Sequence, residues 1–327
     1  MKQPNPEQER FVDPHMSFAR QIRAGNVRAL SRAISLVENS SPEATALLAA
    51  CHGAADSIKL GFTGAPGAGK STLVDQFARR LRKDSERVGI VAVDPTSPFS
   101  GGAILGDRIR MGGHQGDAGL YIRSMATRGF LGGLAGKTAD VCALMEAAGW
   151  NRILVETVGV GQDEVDIVRL ADVTIVVLVP GMGDDVQSIK AGIMEIADIF
   201  VINKCDREGA DRVEQEVKAM QSLAMEHTDW TAPIVRTIAT SGEGVDSLHA
   251  EVAKCIEYLR SSGRLQKKRI SAWRQRLEQM LREEMLLELE ARGFARERLD
   301  QAATEIVESN RNPYEFVPQM LRELLRG

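Results

Sequence analysis

The sequence predicts a doubly wound α/β fold, in which a mostly parallel β-sheet is covered by helices on both faces. Between residues 58 and 259, short runs rich in Val and Ile alternate with segments whose apolar residues recur at helical spacing. The runs are IKLGFT, VGIVAVD, RILVET, VTIVVLV, DIFVINK and PIVRTIA. Because they are almost continuously apolar, they are typical of parallel strands that are buried on both faces of a sheet.

Helical patterns flank this α/β region at both ends. Apolar residues at helical spacing predict a helix from Ser17 to about Val37 and a second from Pro42 to His52. At the other end, QKKRISAWRQRLEQMLREEMLLELEARGF predicts one long amphipathic helix followed by a shorter helical tail. We therefore expect an N-terminal helical extension (1–56), an α/β nucleotide-binding domain (57–260) and a C-terminal helical region (261–327).

The composition is that of an ordinary globular protein and argues against several classes. The 327 residues are 43% hydrophobic and 26% charged, and the net charge of −4 indicates neither a nucleic-acid-binding nor an anionic-membrane surface. No apolar run approaches the roughly 20 residues of a membrane span, and MKQPNPEQERF lacks the apolar core of a signal peptide, which favours the cytoplasm. The four cysteines show no C-x-x-C spacing, so we expect reduced thiols.

A glycine-rich segment, GAPGAGKST, follows the first strand and precedes a helical pattern. It satisfies G-x-x-x-x-G-K-[ST], the P-loop signature, and this places the fold among the P-loop NTPases. Such a loop wraps phosphates with its backbone N–H groups, while Lys70 reaches the β- and γ-phosphates and the Ser71 hydroxyl binds magnesium. The alternative is a glycine turn that only joins strand to helix. The predicted nucleotide contacts of this loop are Gly64, Ala65, Pro66, Gly67, Ala68, Gly69, Lys70, Ser71 and Thr72.

A second motif, NKCD, indicates which base is bound. It follows the apolar strand DIFVI, and the Asp206 carboxylate there can accept hydrogen bonds from N1–H and the exocyclic amine of guanine, a donor pair that adenine lacks. Asn203 can bond the base edge, and the Lys204 stem can lie over the ring. The loop TIATSGEGVDSL supports guanine weakly, because Ser241 and Gly242 could offer a backbone N–H to its O6 atom. An ordinary strand-to-helix turn fits that loop equally well.

Acidic residues near the ends of other strands are candidates for a magnesium site. Glu156 ends the strand RILVET, and Gly159 follows three residues later, where a backbone N–H could meet the γ-phosphate. Asp94 ends the strand VGIVAVD at the edge of the sheet where ligands of α/β folds bind. Asp107 lies in a Gly-rich stretch that could close on the metal in one nucleotide state; a solvated surface loop is the alternative there.

Taken together, the motifs resemble one family. GFTGAPGAGKSTLVDQFARRLR, VAVDPTSPFSGGAILGDRIRM, ILVETVGVGQDEVDI and PGMGDDVQSIKAGIMEIADIFVINKCD, with the helical extensions, are similar to the methylmalonyl-CoA mutase-associated GTPases, the MeaB/ArgK-like family. The resemblance implies a homodimeric GTPase that binds GTP, GDP and Mg²⁺ and is a chaperone of an adenosylcobalamin-dependent acyl-CoA mutase. Some relatives are described instead as arginine/ornithine (LAO/AO) transport kinases or ATPases.

The resemblance also implies residue roles. Lys70 and Ser71 are the phosphate and magnesium contacts, and Asp94, Asp107 and Glu156 are acids of the metal site. The run from Gly181 to Lys190 resembles a switch segment facing the mutase, which makes Lys190 a catalytic candidate; the alternative is a solvated or helix-capping lysine. A nickel-insertion GTPase and an amino-acid transport kinase are rival functions. The first needs a Cys/His cluster that the sequence lacks, and the second needs a preference for ATP.

Overall fold

The computed structural model describes residues 14–53, 57–94, 116–126, 133–157, 169–181, 197–224, 229–291, 296–309 and 312–326. The strands are β1 (Ile58–Thr63), β2 (Val88–Asp94), β3 (Leu120–Ala126), β4 (Arg152–Thr157), β5 (Val173–Leu178), β6 (Ile199–Asn203) and β7 (Ile234–Thr237). They form a seven-stranded sheet in the order β3-β2-β4-β1-β5-β6-β7, and every neighbouring pair is parallel. The predicted doubly wound α/β fold is confirmed.

The helices lie before, between and after these strands. They are α1 (Pro14–Arg23), α2 (Val27–Glu38), α3 (Pro42–Cys51), α4 (Lys70–Lys83), α5 (Gly133–Ala147), α6 (Ala210–Ala224), α7 (Val245–Ser261), α8 (Arg264–Ala291), α9 (Arg296–Ser309) and α10 (Pro313–Arg326). The chain divides into two compact units, residues 1–272 and residues 273–327. Among the described helices, none is both long and apolar enough to cross a membrane.

The sheet is buried on both faces, which explains the continuous apolar runs. In β4, Leu154 packs with α4 and α7 on one face, whereas Ile153 and Val155 pack with α2 and α5 on the other. Successive side chains of a strand point to opposite faces, so both sets of positions must be apolar when helices cover both sides. The N-terminal helices α1 to α3 belong to the second of these layers.

Two local expectations were wrong. The helix expected from Ser17 to Val37 is two helices, because Gly25 has a left-handed φ of 76° and the Asn26 side chain caps α2 by accepting from the backbone N–H groups of Arg28 and Ala29. The edge strand β3 was missed. The predicted helical tail at the C-terminus consists of two helices, α9 and α10.

Ionic side chains collect at the amino edge of the sheet, opposite the edge where the P-loop lies. Asp172 and Asp198 directly precede β5 and β6, and both are buried. Lys268, in the first turns of α8, donates to Asp198, and the Arg269 guanidinium binds Asp172 with distances of 2.8 and 3.1 Å. Each carboxylate also accepts a backbone N–H of a neighbouring strand. These bonds fasten the start of α8 to the sheet.

In the second unit, the apolar core among the described residues is small. Ala302 of α9 and Met320 of α10 are buried, and Leu289 and Phe316 pack against them. Much of the apolar face of α8 remains exposed: Trp273, Leu277 and Leu281 keep 53%, 53% and 63% of their surface accessible. The apolar face of α8 is therefore largely uncovered along these three residues.

Candidate nucleotide-binding site

The P-loop connects β1 directly to α4, and its glycines occupy positions that other residues would not tolerate. Gly64 and Gly69 have φ values of 141° and 86°. A Cβ atom added at Gly64 would lie 2.1 Å from the carbonyl oxygen of Val177, and one at Gly69 would lie 2.5 Å from Nδ2 of Asn203. Both the backbone conformation and the close approach of neighbouring atoms therefore require glycine at these two positions.

Lys70 begins α4 and is buried, with 5% of its surface exposed. Its Nζ atom donates to the carbonyl oxygens of Gly64 and Ala65, the latter at 2.9 Å. The ammonium group is thus held across the loop that precedes it, on the side where the N-terminus of α4 points. A positive charge and the unpaired N–H groups of a helix end together favour a phosphate at this place.

Ser71 and Glu156 meet at the carboxyl edge of the sheet. The Ser71 hydroxyl donates to Oε1 of Glu156 at 2.5 Å, and Glu156 is 7% exposed. A hydroxyl and a carboxylate oxygen suit Mg²⁺, which is usually held by one or two protein groups together with phosphate oxygens. Within the described ranges, no group of three or more His, Cys, Asp or Glu side chains could hold a metal ion. The residues present fit a magnesium bound partly by nucleotide.

The remaining candidates for the phosphate side are Asp94, Asp107, Gly159 and Lys190. Asp94 is the last residue of β2, next to the register pair Val93 and Thr157, so its backbone lies at the same edge as Glu156. Asp107, Gly159 and Lys190 lie outside the described residues.

Asn203 links the base-recognition motif to the P-loop. Its Nδ2 atom donates to the carbonyl oxygen of Ala68 at 2.8 Å, and its Oδ1 atom accepts from the Thr237 hydroxyl at 3.1 Å and from the Ala239 backbone N–H at 3.0 Å. Lys204 adopts a left-handed φ of 58°, and its Nζ atom donates to the Gly67 carbonyl oxygen at 2.7 Å. The two motifs, about 135 residues apart, are therefore in direct contact.

The other base-side candidates differ in their surroundings. Asp206 is exposed, so its carboxylate is accessible to a ligand. The backbone N–H groups of Ser241 and Gly242 both donate to the Ile238 carbonyl oxygen within the turn. The members of this loop that contact the NKCD motif are Thr237 and Ala239, which sequence reasoning missed. A buried polar residue at the end of a strand was the available signal for Thr237.

The cysteines play no visible part in this chemistry. Burial raises the pKa of Cys142 to about 12, and burial also raises the pKa of Cys205, the third residue of NKCD. A raised thiol pKa leaves less thiolate, the form that attacks electrophiles and binds metals. Cys142 and Cys205 therefore carry less thiolate than an unperturbed cysteine.

The site combines a strand, a glycine loop and a helix that begins with a buried lysine. An NKxD motif at the end of β6, two strands away from β1 in the sheet, contacts this loop. Together these features define a P-loop GTPase. Comparison with known proteins identifies the group within that class. The sequence model of the family described as methylmalonyl Co-A mutase-associated GTPase MeaB matches residues 30–293, and the chain belongs to this family.

Several relatives agree with this assignment. A Pyrococcus abyssi protein named as a GTPase is 43% identical over 310 residues, which are 94% of this chain and 95% of that protein. GTPase ArgK of Escherichia coli is 36% identical over 290 residues, 86% of each chain. A mouse protein named methylmalonic aciduria type A homolog, mitochondrial, is 38% identical over 217 residues, 65% of this chain and 52% of the relative. A solved structure described as an LAO/AO transport system kinase has a TM-score of 0.69 and 28% identity over the whole of both chains.

Proposed function

We propose that this GTPase is a chaperone of an adenosylcobalamin-dependent acyl-CoA mutase, with methylmalonyl-CoA mutase as the first candidate client. In this role GTP hydrolysis gates the loading of the cofactor and protects the mutase from inactivation. The observation that carries the proposal is the match to a family described as mutase-associated over residues 30–293. The name of the mouse relative, which refers to methylmalonic aciduria, points in the same direction.

The contact between the P-loop and the NKCD motif is consistent with a bound nucleotide whose hydrolysis limits how long a partner stays bound. Asn203 and Lys204 both donate to P-loop carbonyl oxygens, so the base site and the phosphate site share hydrogen bonds. A partner that binds the GTP form more tightly than the GDP form shifts the population by that difference in affinity. Hydrolysis then ends the interaction, and no phosphoryl acceptor is needed.

The family resemblance supports the following roles for the site residues, and the hydrogen bonds described above support those of Lys70, Ser71 and Glu156 in particular. Lys70 binds the β- and γ-phosphates, and Ser71 with Glu156, Asp94 and Asp107 would hold Mg²⁺, which neutralises phosphate charge when it is bound. Gly159 meets the γ-phosphate, and Lys190 stabilises the charge that develops during hydrolysis. On the base side, Asn203, Lys204 and Asp206 bind guanine, with Ser241 and Gly242 in the adjoining loop.

GTP turnover by the purified protein, alone and with methylmalonyl-CoA mutase, tests the proposal. We expect a slow basal rate that rises severalfold with the mutase, and no rise with an acyl-CoA enzyme that does not use cobalamin. Lys70→Ala serves as the control for contaminating hydrolases, because it removes the phosphate-binding ammonium and should abolish turnover. An unchanged rate in the presence of the mutase, with GTP preferred over ATP, would assign the protein to a different client.

The rival functions predict different results. An amino-acid transport kinase, the description of one similar structure, requires transfer of the γ-phosphate to an acceptor other than water. A nickel-insertion GTPase requires stoichiometric tight binding of nickel, whereas the described residues contain no Cys/His cluster suited to it. Release of all γ-phosphate as free phosphate, without tight nickel binding, would exclude both.

We further propose that the protein is a homodimer that buries the apolar face of α8. Ile270, Trp273, Leu277 and Leu281 lie along this face, and each exposes more than half of its surface. Such a stripe is stabilised when a second helix covers it. Light scattering should give twice the 35.7 kDa chain mass. Leu277→Glu with Leu281→Glu should shift it to the monomer, whereas the exposed control Val307→Glu on α9 should not.

A further inference from the structure

We propose that two copies of this chain pair their α8 helices in antiparallel orientation, with the basic half of one helix against the acidic half of the other. The inference rests on the proposed homodimer and deepens it, because it gives the orientation of the two helices and the charges that select it. Two observations carry it: the distribution of charge along α8 and the apolar face that this helix leaves exposed.

The charges of α8 are segregated along its length. The first half of the helix, residues 264–276, contains six basic side chains and no acidic one: Arg264, Lys267, Lys268, Arg269, Arg274 and Arg276. The second half, residues 277–291, contains five glutamates and one arginine: Glu278, Arg282, Glu283, Glu284, Glu288 and Glu290. The formal charge is therefore +6 in the basic half and −4 in the acidic half.

The stability of the helix itself does not account for this distribution. A helix dipole favours acidic side chains near the N-terminus and basic ones near the C-terminus. In α8 the first turn has no acidic residue and the last turn has no basic one. Attachment to the sheet involves two of the basic residues, Lys268 and Arg269, which bind Asp198 and Asp172. A partner with the opposite arrangement of charge explains the rest of the pattern.

The exposed apolar face of α8 lies between charges of opposite sign. At 3.6 residues per turn, four residues that are each more than half exposed fall within about 40° of one line along the helix: Ile270, Trp273, Leu277 and Leu281. Glu284 continues this line one turn later, and Lys267 lies about 80° from it at the opposite end of the face. Both charged side chains are exposed.

A two-fold axis near Leu277 brings these charges together. In an antiparallel pair, Trp273 then packs against Leu281 of the partner subunit, and the two copies of Leu277 meet at the axis. Lys267 lies about 15 Å along the helix on one side of the axis, and Glu284 lies about 10 Å along it on the other. Lys267 therefore comes within reach of Glu284 of the partner subunit, twice in each dimer. A parallel pair would instead place like charges together, which opposes association.

Charge exchange within the full chain tests the orientation, with the dimer dissociation constant measured by analytical ultracentrifugation. Lys267→Glu and Glu284→Lys should each weaken the dimer roughly 5- to 30-fold, because each converts two attractive contacts into repulsive ones. The double variant should return to within about threefold of the unaltered protein, since opposite charges meet again. Glu257→Lys, an equal change of charge at an exposed position on α7, should leave the constant unchanged.

Three results would overturn the inference. Single reversals without effect would refute the antiparallel contact, because in a parallel pair each reversal only exchanges one like-charge contact for another. A double variant as weak as the single variants would show that Lys267 and Glu284 do not meet. In both cases the homodimer itself would stand. A chain that is monomeric before any substitution would refute the homodimer as well, and would leave the apolar face of α8 to a different protein.

Discussion

Replacing Arg269 by Met tests the ion pairs that fasten α8 to the amino edge of the sheet. Arg269 donates to both carboxylate oxygens of Asp172 and to the carbonyl oxygen of Ser57 at 2.6 Å. Asp172 is only 3% exposed, so its charge would remain buried in the variant. Among its other partners it would keep the backbone N–H of Lys59, 2.9 Å away, and the attraction of the Lys59 ammonium.

The expected cost follows from this burial. Removing one partner of a buried ion pair typically costs about 3–5 kcal/mol, because the other charge is left without compensation. Arg269 is 34% exposed at its side chain and Lys59 stays nearby, so we expect a smaller loss, about 2–3 kcal/mol in the free energy of unfolding. Asp172→Asn should cost less, because the remaining guanidinium can reach water.

Urea unfolding followed by tryptophan fluorescence measures the loss as a shift of the midpoint. The matched control is Arg212→Met, which breaks an ion pair with Glu216 on the surface of α6; with Arg212 83% exposed, it should cost no more than about 0.5 kcal/mol. The double variant Asp172→Asn with Arg269→Met should lose less than the sum of the single losses. A loss for Arg269→Met as small as the control, or strict additivity, would refute the reasoning.

Two further predictions concern the nucleotide-binding site, and a third concerns His249 on α7. Gly69→Ala should weaken GTP binding more than tenfold, because its Cβ would collide with the Asn203 amide. At Gly67 no atom lies within 4 Å of a new Cβ, so Gly67→Ala should bind GTP more tightly than Gly69→Ala does. Equal affinities of the two variants for GTP would contradict this prediction. Glu156→Gln should raise the Mg²⁺ concentration needed for half-maximal turnover, and an unchanged magnesium titration would argue against the metal site. Burial, and then repulsion by Arg80, lowers the pKa of His249 from 6.5, so the unfolded chain binds more protons and stability falls as the pH drops through 6.5. The urea midpoint of unfolding should fall less between about pH 7.5 and about pH 5.5 in His249→Gln than in the unaltered protein. Equal falls in the two proteins would contradict the role assigned to His249.

The six predicted strands were confirmed because their signals are local. Continuous apolar runs predict strands that are covered on both faces, and β4 shows that covering residue by residue. The strand β3 was missed because it lies at the edge and carries polar residues. Arg123 within it pairs with Glu38 of α2, a partner 85 residues away that no local pattern reveals. The residue roles of the site remain predictions.

The sequence by itself determined the class of this protein. The spacing of GAPGAGKST, the NKCD motif after a strand and the alternation of apolar runs with helical patterns are short-range features, and each depends on only a few neighbouring residues. The tertiary structure alone decided which side chains meet. The Thr237 hydroxyl holds Asn203 because β6 and β7 became neighbours, and Arg269 finds Asp172 because α8 returns to the amino edge of the sheet. These contacts join residues that are 34 and 97 positions apart in the sequence. They could not be predicted from the sequence because the topology of the chain, and not local periodicity, determines which distant residues become neighbours.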